Sequence, residues 1–305
     1  MTWNGKYWDI VGNLYWTPRY LGLQSISRNK WRVDGEWISV PKRLVTNSSG
    51  PLYVRSRKFD ELTTYLHGQE EILNHLFNLL FSIAGDAVIS RLLCHPLGLA
   101  ETGPFESLGR EVGSRYGWRE SENVTQQDGL FVSTSSVVGV ELKLESTSWP
   151  EQIAKYIALM IWEEAFSHQR EHLGLLFIVP ESAMSEHWSN VGLNGPTIDE
   201  SFVSRLNPER LPKKIQTLFE TYPDQVRSVL RRIRLGVISW TKFSEQISAM
   251  EKELDPSQAG DQTLLRLLAG FRDQLERHQK TGLASTSLDD DLVPVLDELS
   301  DVPAS

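Results

Sequence analysis

A single cysteine, Cys94, occurs in 305 residues, which excludes an internal disulfide. With Leu92 and Leu93 beside it, Cys94 reads as a buried, inert thiol. Long apolar runs are also missing. The longest stretches, around Leu76–Ala84 and Ile157–Trp162, fall short of the roughly 20 residues that a membrane-crossing helix needs. Met1 to Tyr20 lacks the basic start and apolar run of a signal peptide. No G-x-x-x-x-G-K-[ST] phosphate loop is present, so any ATP dependence must come from another chain. His75, His95, His168 and His172 have no cysteine at zinc-ligand spacing, which argues against a zinc site. These absences predict a cytoplasmic protein with no membrane partner.

What is present is a 40 % hydrophobic chain with ten Trp and eleven Phe, enough to bury a sizeable core. Net charge is −9, yet residues 281–305 hold six acidic side chains and neither Lys nor Arg, so the rest carries only −3. Local basic patches can therefore dominate the field of the body, and the total does not exclude a nucleic-acid partner.

Along the chain, residues 1–58 are rich in Trp, Tyr, Val and Ile between turn signals and predict a β-rich region, with a hairpin at Asp34–Gly35. In Phe59–Leu97, Ile72, His75, Leu76, Leu79, Leu80 and Ile83 fall at helical spacing and predict one or two core helices. A shorter helix is expected from Phe105 to Tyr116. Gly129–Ser133 and Val137–Leu144 are β-rich. Ser148–Trp149–Pro150–Glu151 has the cap, proline and early acid of a helix start, and that helix should reach Ser167. Leu173–Val179 and Arg234–Trp240 read as strands, and Asp199–Leu206, Pro212–Leu230, Thr241–Leu254 and Gln262–Gln279 as helices. The order predicts an α/β fold with a central mixed sheet flanked by helices. Its expected divisions are a core over 59–254 with a helical insertion at about 199–232, a C-terminal helix over 255–280 and a disordered acidic tail over 281–305.

One constellation points to chemistry. Glu141 and Lys143 sit two apart on an expected strand, so both leave one face of the sheet, while Val140, Leu142 and Leu144 point into the core. A carboxylate and an ammonium beside an apolar layer are costly unless paired or used. Thirteen residues earlier stands Asp128. If its strand returns through the Ser133–Ser136 turn, Asp128 lies beside Glu141, and a divalent cation resolves the repulsion between the two. Few hard oxygen ligands, with waters completing the shell, favour Mg²⁺ or Mn²⁺.

Acid, hairpin, then acid-x-Lys on the next strand is the pattern by which this chain resembles the PD-(D/E)XK nuclease superfamily. Gln152–Ile153–Ala154–Lys155–Tyr156 is similar to the Q-x-x-x-Y motif of its RecB-type members, with Gln152 and Tyr156 at i,i+4. Gln127 stands where the name-giving Pro would be. The resemblance runs from Phe105 to Val179 and implies a fold of helix, three strands, helix and strand. It also implies that Asp128 and Glu141 hold Mg²⁺ with the Leu142 carbonyl, that Lys143 orients or deprotonates water, and that Glu111 serves a second metal or its water. Gln152 and Tyr156 would place the phosphodiester backbone. DNA cleavage by a restriction-type enzyme or a prokaryotic defence effector is the function implied. A nuclease-fold DNA-binding subunit working with a helicase or ATPase partner is the alternative, and a homo-oligomer is compatible with either.

Each piece also has an ordinary structural reading. Asp128–Gly129 can be a turn, Glu141 and Lys143 a cross-strand pair, and Gln152 with Tyr156 a plain helix face. Glu106 competes with Glu111, and Arg110 or Arg115 can pair with Glu111. For substrate contact, Glu209–Arg234 holds seven basic and three acidic residues. Lys213, Lys214, Arg227, Arg231 and Arg232 are the expected phosphate-tracking side chains there, against a solvated helix face. Lys42–Arg43 and Arg55–Arg57–Lys58 form a second candidate patch. The tail from Leu288 to Leu299 mixes acids with Leu and Val, as a DNA mimic or docking segment would, against an acidic end with no role of its own.

Overall fold

The computed structural model describes residues 32–33, 36–37, 70–100, 103–108, 112–116, 127–144, 149–278 and 281–283. From the N-terminal region it gives β1 (Arg32–Val33) and β2 (Glu36–Trp37), an antiparallel pair on either side of Asp34–Gly35. The rest of that region, with Trp3, Trp8, Trp16 and both of its basic clusters, lies outside the described residues, as does the segment Leu288–Leu299. In chain order there follow α1 (Glu70–Ile83), α2 (Asp86–Ile89), β3 (Glu106–Ser107), α3 (Val112–Arg115), β4 (Gly129–Val132), β5 (Ser136–Leu142) and α4 (Pro150–Phe166). Then come β6 (His172–Val179), α5 (His187–Asn190), α6 (Lys213–Thr221), α7 (Pro223–Arg232), β7 (Ile233–Ser239), α8 (Trp240–Glu253) and α9 (Ala259–Arg277).

This is an α/β fold around a five-stranded mixed sheet of order β3-β4-β5-β6-β7. The β3–β4 and β4–β5 pairs are antiparallel, and β5–β6 and β6–β7 parallel. Parallel neighbours require a crossover, which α4 supplies between β5 and β6. Side-chain alternation then sorts the strands into two apolar faces. Phe131, Val138, Val140, Leu142, Leu176 and Ile178 pack with α1, α8 and α9. Leu130, Val132, Val137, Leu173, Leu175 and Phe177 pack with α4, α6 and α7. Under α4, Gly139 of β5 leaves room for the Tyr156 ring, since a Cβ there would lie 2.4 Å from it. Among the described residues no helix is long and apolar enough to cross a membrane.

Several expected elements form differently. The segment expected as a helix from Phe105 to Tyr116 instead holds β3, with Glu106 opposite Val132 and Ser107 opposite Phe131, and, among the described residues, a helical turn in α3. Pairing with β4 outweighs the local preference. Pro212–Leu230 is two helices because Pro223 starts a new one and restricts Tyr222 before it. Asp199–Leu206 is a short tight-helical turn at Glu200–Arg205. On α1 the buried stripe is Leu73, Leu76, Phe77, Leu80 and Phe81, whereas Ile83 is 56 % exposed. Thr281 belongs to the body rather than the tail: it is buried, and its hydroxyl donates to the Leu275 and His278 carbonyls at 2.7 and 2.8 Å.

The far half of α4 carries a buried charge network. Glu163 accepts two hydrogen bonds from Arg115, at 2.8 and 2.9 Å, one from Arg170 at 3.0 Å and one from the Tyr116 hydroxyl at 2.9 Å. Burial alone would raise the Glu163 carboxyl, but these donors outweigh it and leave it below the usual range.

Candidate active site at the carboxyl end of the sheet

Glu141 and Lys143 stand at the carboxyl end of β5, and α4 begins at the same end. This is where open α/β sheets place their ligands. The register that sets Gly129 opposite Val140 carries Asp128 to the position opposite Glu141. Asp128 is half-buried, and both of its oxygens are engaged. The backbone N–H of Leu142 donates to Oδ2 at 2.7 Å, and the Asn74 side chain of α1 donates to Oδ1. One turn further along α1, Asn78 donates to the Asp128 carbonyl at 2.6 Å and to Asn74 Oδ1 at 2.8 Å.

Glu141 and Lys143 are each only 6 % exposed, and Lys143 Nζ lies 2.7 Å from Glu141 Oε1. Gln152 Nε2 donates to the same oxygen, while Gln152 Oε1 accepts the N–H of Trp149 at 2.9 Å. The Tyr156 hydroxyl reaches the Val140 carbonyl, lies 2.9 Å from Glu141 Oε2 and accepts the Asp128 N–H at 3.3 Å. Burial, followed by the neighbouring Glu141 and Asp128 carboxylates, pushes the Tyr156 phenol well above its ordinary value. Tyr156 is therefore a neutral hydroxyl behind Glu141. From the far side, Trp240 Nε1 donates to the Lys143 carbonyl at 2.8 Å, which anchors the end of the strand on α8.

No family model, curated protein or solved structure matches this chain. The functional reading therefore rests on the geometry.

Asp128, Glu141, Lys143, Gln152 and Tyr156 come together as one hydrogen-bonded cluster. Gln152 and Tyr156 both turn polar atoms to the Glu141 carboxylate, and the Tyr156 hydroxyl also meets the Asp128 N–H. Glu111 lies outside the described residues. Among the described residues no group of three His, Cys, Asp or Glu side chains stands together. Two carboxylates nonetheless fit a hard cation that keeps most of its waters, since a carboxylate accepts about four hydrogen bonds or metal contacts. Asn74 and Asn78 escape the sequence reading, although two amides four apart on a Leu/Phe-rich helix are a usable signal.

Arg232 is not brought to this site. Arg232 precedes β7 at the amino end of the parallel strands, roughly 20 Å along them from the level of Leu142. It pairs with Glu164 at 2.7 Å, and its guanidinium also meets the Arg170 carbonyl. Arg231 pairs with Glu200 at 2.5 Å, and Arg227 with Asp224. Each of these three guanidiniums has a carboxylate partner. Lys213 and Lys214 are exposed on α6, and Lys214 lines a cleft of about 350 Å³ with Tyr116, Trp162 and Tyr222 against the far half of α4.

Proposed function

We propose that this protein is a divalent-metal-dependent nuclease of the PD-(D/E)XK type that hydrolyses DNA phosphodiester bonds, in a restriction or defence setting. The observation that carries the reading is the buried Glu141–Lys143 pair beside Asp128 at the carboxyl end of the sheet. A buried ion pair is a weak source of stability, so its presence at a strand end calls for another explanation. The element order supports the same reading: α1, three antiparallel strands, the crossover helix α4, then a parallel strand. Here α1 takes the place of the leading helix, earlier in the chain than expected.

In this reading Asp128 and Glu141 are the metal ligands, and Glu111 is the further carboxylate. Mg²⁺, with Mn²⁺ as a substitute, supplies phosphate charge neutralisation and a lowered pKa for bound water. Lys143 offers its ammonium donors to the attacking water and to the charge that builds on the phosphate. Asn74 and the Leu142 N–H hold the Asp128 carboxylate in place, and Gln152 and Tyr156 hold Glu141. These are positioning residues, and their loss should weaken metal binding roughly 10- to 100-fold without removing it.

Incubation of the full-length protein with supercoiled plasmid in Mg²⁺, Mn²⁺ or EDTA tests the proposal. Nicking or linearisation should require metal, and Asp128→Asn, Glu141→Gln and Lys143→Ala should each abolish it, with non-additive losses in combination. Wild-type cleavage by any one of the three would reject the site. DNA binding without cleavage in either metal would favour a binding subunit with a helicase or ATPase partner.

A further inference from the structure

Trp149 is 49 % exposed immediately before α4, and its backbone N–H is tied to Gln152, whose amide in turn holds Glu141. The Arg210 guanidinium lies over the indole, 4.6 Å from the ring centroid. The segment bearing Arg210 is fixed to this end of α4. The Asn207 N–H donates to the buried Glu151 carboxylate at 3.1 Å, and Gln216 Nε2 donates to the Pro208 and Leu211 carbonyls at 2.7 Å each. Arg205, Arg227, Arg231 and Arg232 are each paired with a carboxylate. Arg210 has no carboxylate within ion-pair distance among the described residues. A cation and an exposed aromatic face thus stand together at the start of α4, one side chain, Gln152, away from the Glu141 carboxylate.

We propose that Trp149 and Arg210 form a strand-binding platform that takes an unpaired nucleobase on the indole and the adjoining phosphate on the guanidinium. This rests on the nuclease reading of the same site and narrows its substrate to DNA with an unpaired or frayed segment beside the scissile phosphate. The chemistry selects that substrate. Inside a duplex both faces of each base are covered by neighbours, so only an unpaired or terminal base can stack on a protein ring, and such stacking tolerates any base. Arg210 backs the indole by cation–π contact and keeps its N–H edges for phosphate oxygens.

Binding of a fluorescently labelled single strand, and of the same sequence as a blunt duplex, is measured by anisotropy on the full-length protein in EDTA, where nothing is cut. Trp149→Ala should weaken single-strand binding roughly 5- to 150-fold, and Trp149→Phe should restore most of it. Arg210→Ala should reduce the slope of log affinity against log salt by about 0.7. Duplex binding should change far less in all three. Single-strand affinity and slope unchanged in Trp149→Ala and Arg210→Ala, with only melting temperature altered, would reduce the pair to a surface contact and overturn the proposal. So would a wild-type protein that binds neither strand form. A protein that binds through Trp149 yet cuts nothing in Mg²⁺ keeps the platform and rejects the nuclease reading. One that cuts, with Trp149→Ala indifferent, does the reverse.

Discussion

Replacing Tyr156 with Phe removes one oxygen from the centre of the cluster and keeps the ring that packs over Gly139. Volume is conserved, so no cavity forms, and the loss is one of hydrogen bonding. The hydroxyl meets the Glu141 carboxylate at 2.9 Å and the Asp128 N–H at 3.3 Å, besides the Val140 carbonyl. A hydrogen bond to a charged group is worth about 1.5–3 kcal/mol, whereas the longer N–H contact adds little. Without the hydroxyl, Glu141 Oε2 remains buried with one donor fewer. A destabilisation of about 2–3 kcal/mol follows, which for a chain of this size lowers Tm by roughly 4–12 °C. Denaturant unfolding should show a lower midpoint with an unchanged slope. Calorimetric titration with Mn²⁺ should show affinity reduced roughly 10- to 100-fold, because the ligand loses its orienting partner. Combining Tyr156→Phe with Glu141→Gln should return a coupling energy of roughly 1.5–3 kcal/mol. A Tyr156→Phe protein within about 0.5 kcal/mol of wild type, with equal Mn²⁺ affinity and no coupling, would refute the assignment of Tyr156 as the support of Glu141.

Other outcomes follow from groups away from the site. His187 is buried 4.5 Å from the Phe177 ring, and burial pushes its imidazole down to about 4 from 6.5. It folds neutral, so its contribution is intact above pH 6.5 and is lost as pH falls toward 4, by about 2–3 kcal/mol. His187→Phe should flatten that acid limb, read as urea midpoints at about pH 7 and about pH 5, and an unchanged limb would count against it. Glu163→Ala strands Arg115 and Arg170 and should cost about 3–5 kcal/mol in thermal unfolding, with a loss under about 1 kcal/mol contradicting the network. Arg232→Ala should cost about 1–3 kcal/mol of stability and leave the salt dependence of DNA binding alone. A slope reduced by about 0.9 on duplex would restore Arg232 as a phosphate contact.

The parts of the site legible in the sequence are those set by local period. Glu141 and Lys143 share a face because a strand alternates every two residues, and Gln152 and Tyr156 share one because a helix repeats near every four. Asn74 meets Asp128 across 54 residues, and no local period encodes that contact. On α1 the helical spacing places Leu76 and Leu80 in the core, but Phe77 and Phe81 fill the positions beside them that it gives to His75 and Leu79. As a two-residue strand, β3 has no alternation of its own and exists through its partner. Arg231 and Arg232 fall in a sequence window rich in basic residues, while the carboxylates that pair with them, Glu200 and Glu164, lie outside it. Arg210, in the same window, reaches the site end through a ring contact that charge counting does not register.

The two bonds of Gln152 set a substitution rule for that position. Its amide must accept at one atom, from Trp149, and donate at the other, to Glu141. Glu would keep the acceptor and bring a second negative charge against Glu141. Lys and Arg would donate and leave the Trp149 N–H without its acceptor. Asn has both atoms and is one methylene too short to span from the helix to the strand. Helix start and carboxylate orientation are thus read from a single side chain, so a change that frays the first turn of α4 and one that misaims Glu141 should be inseparable by mutation at residue 152.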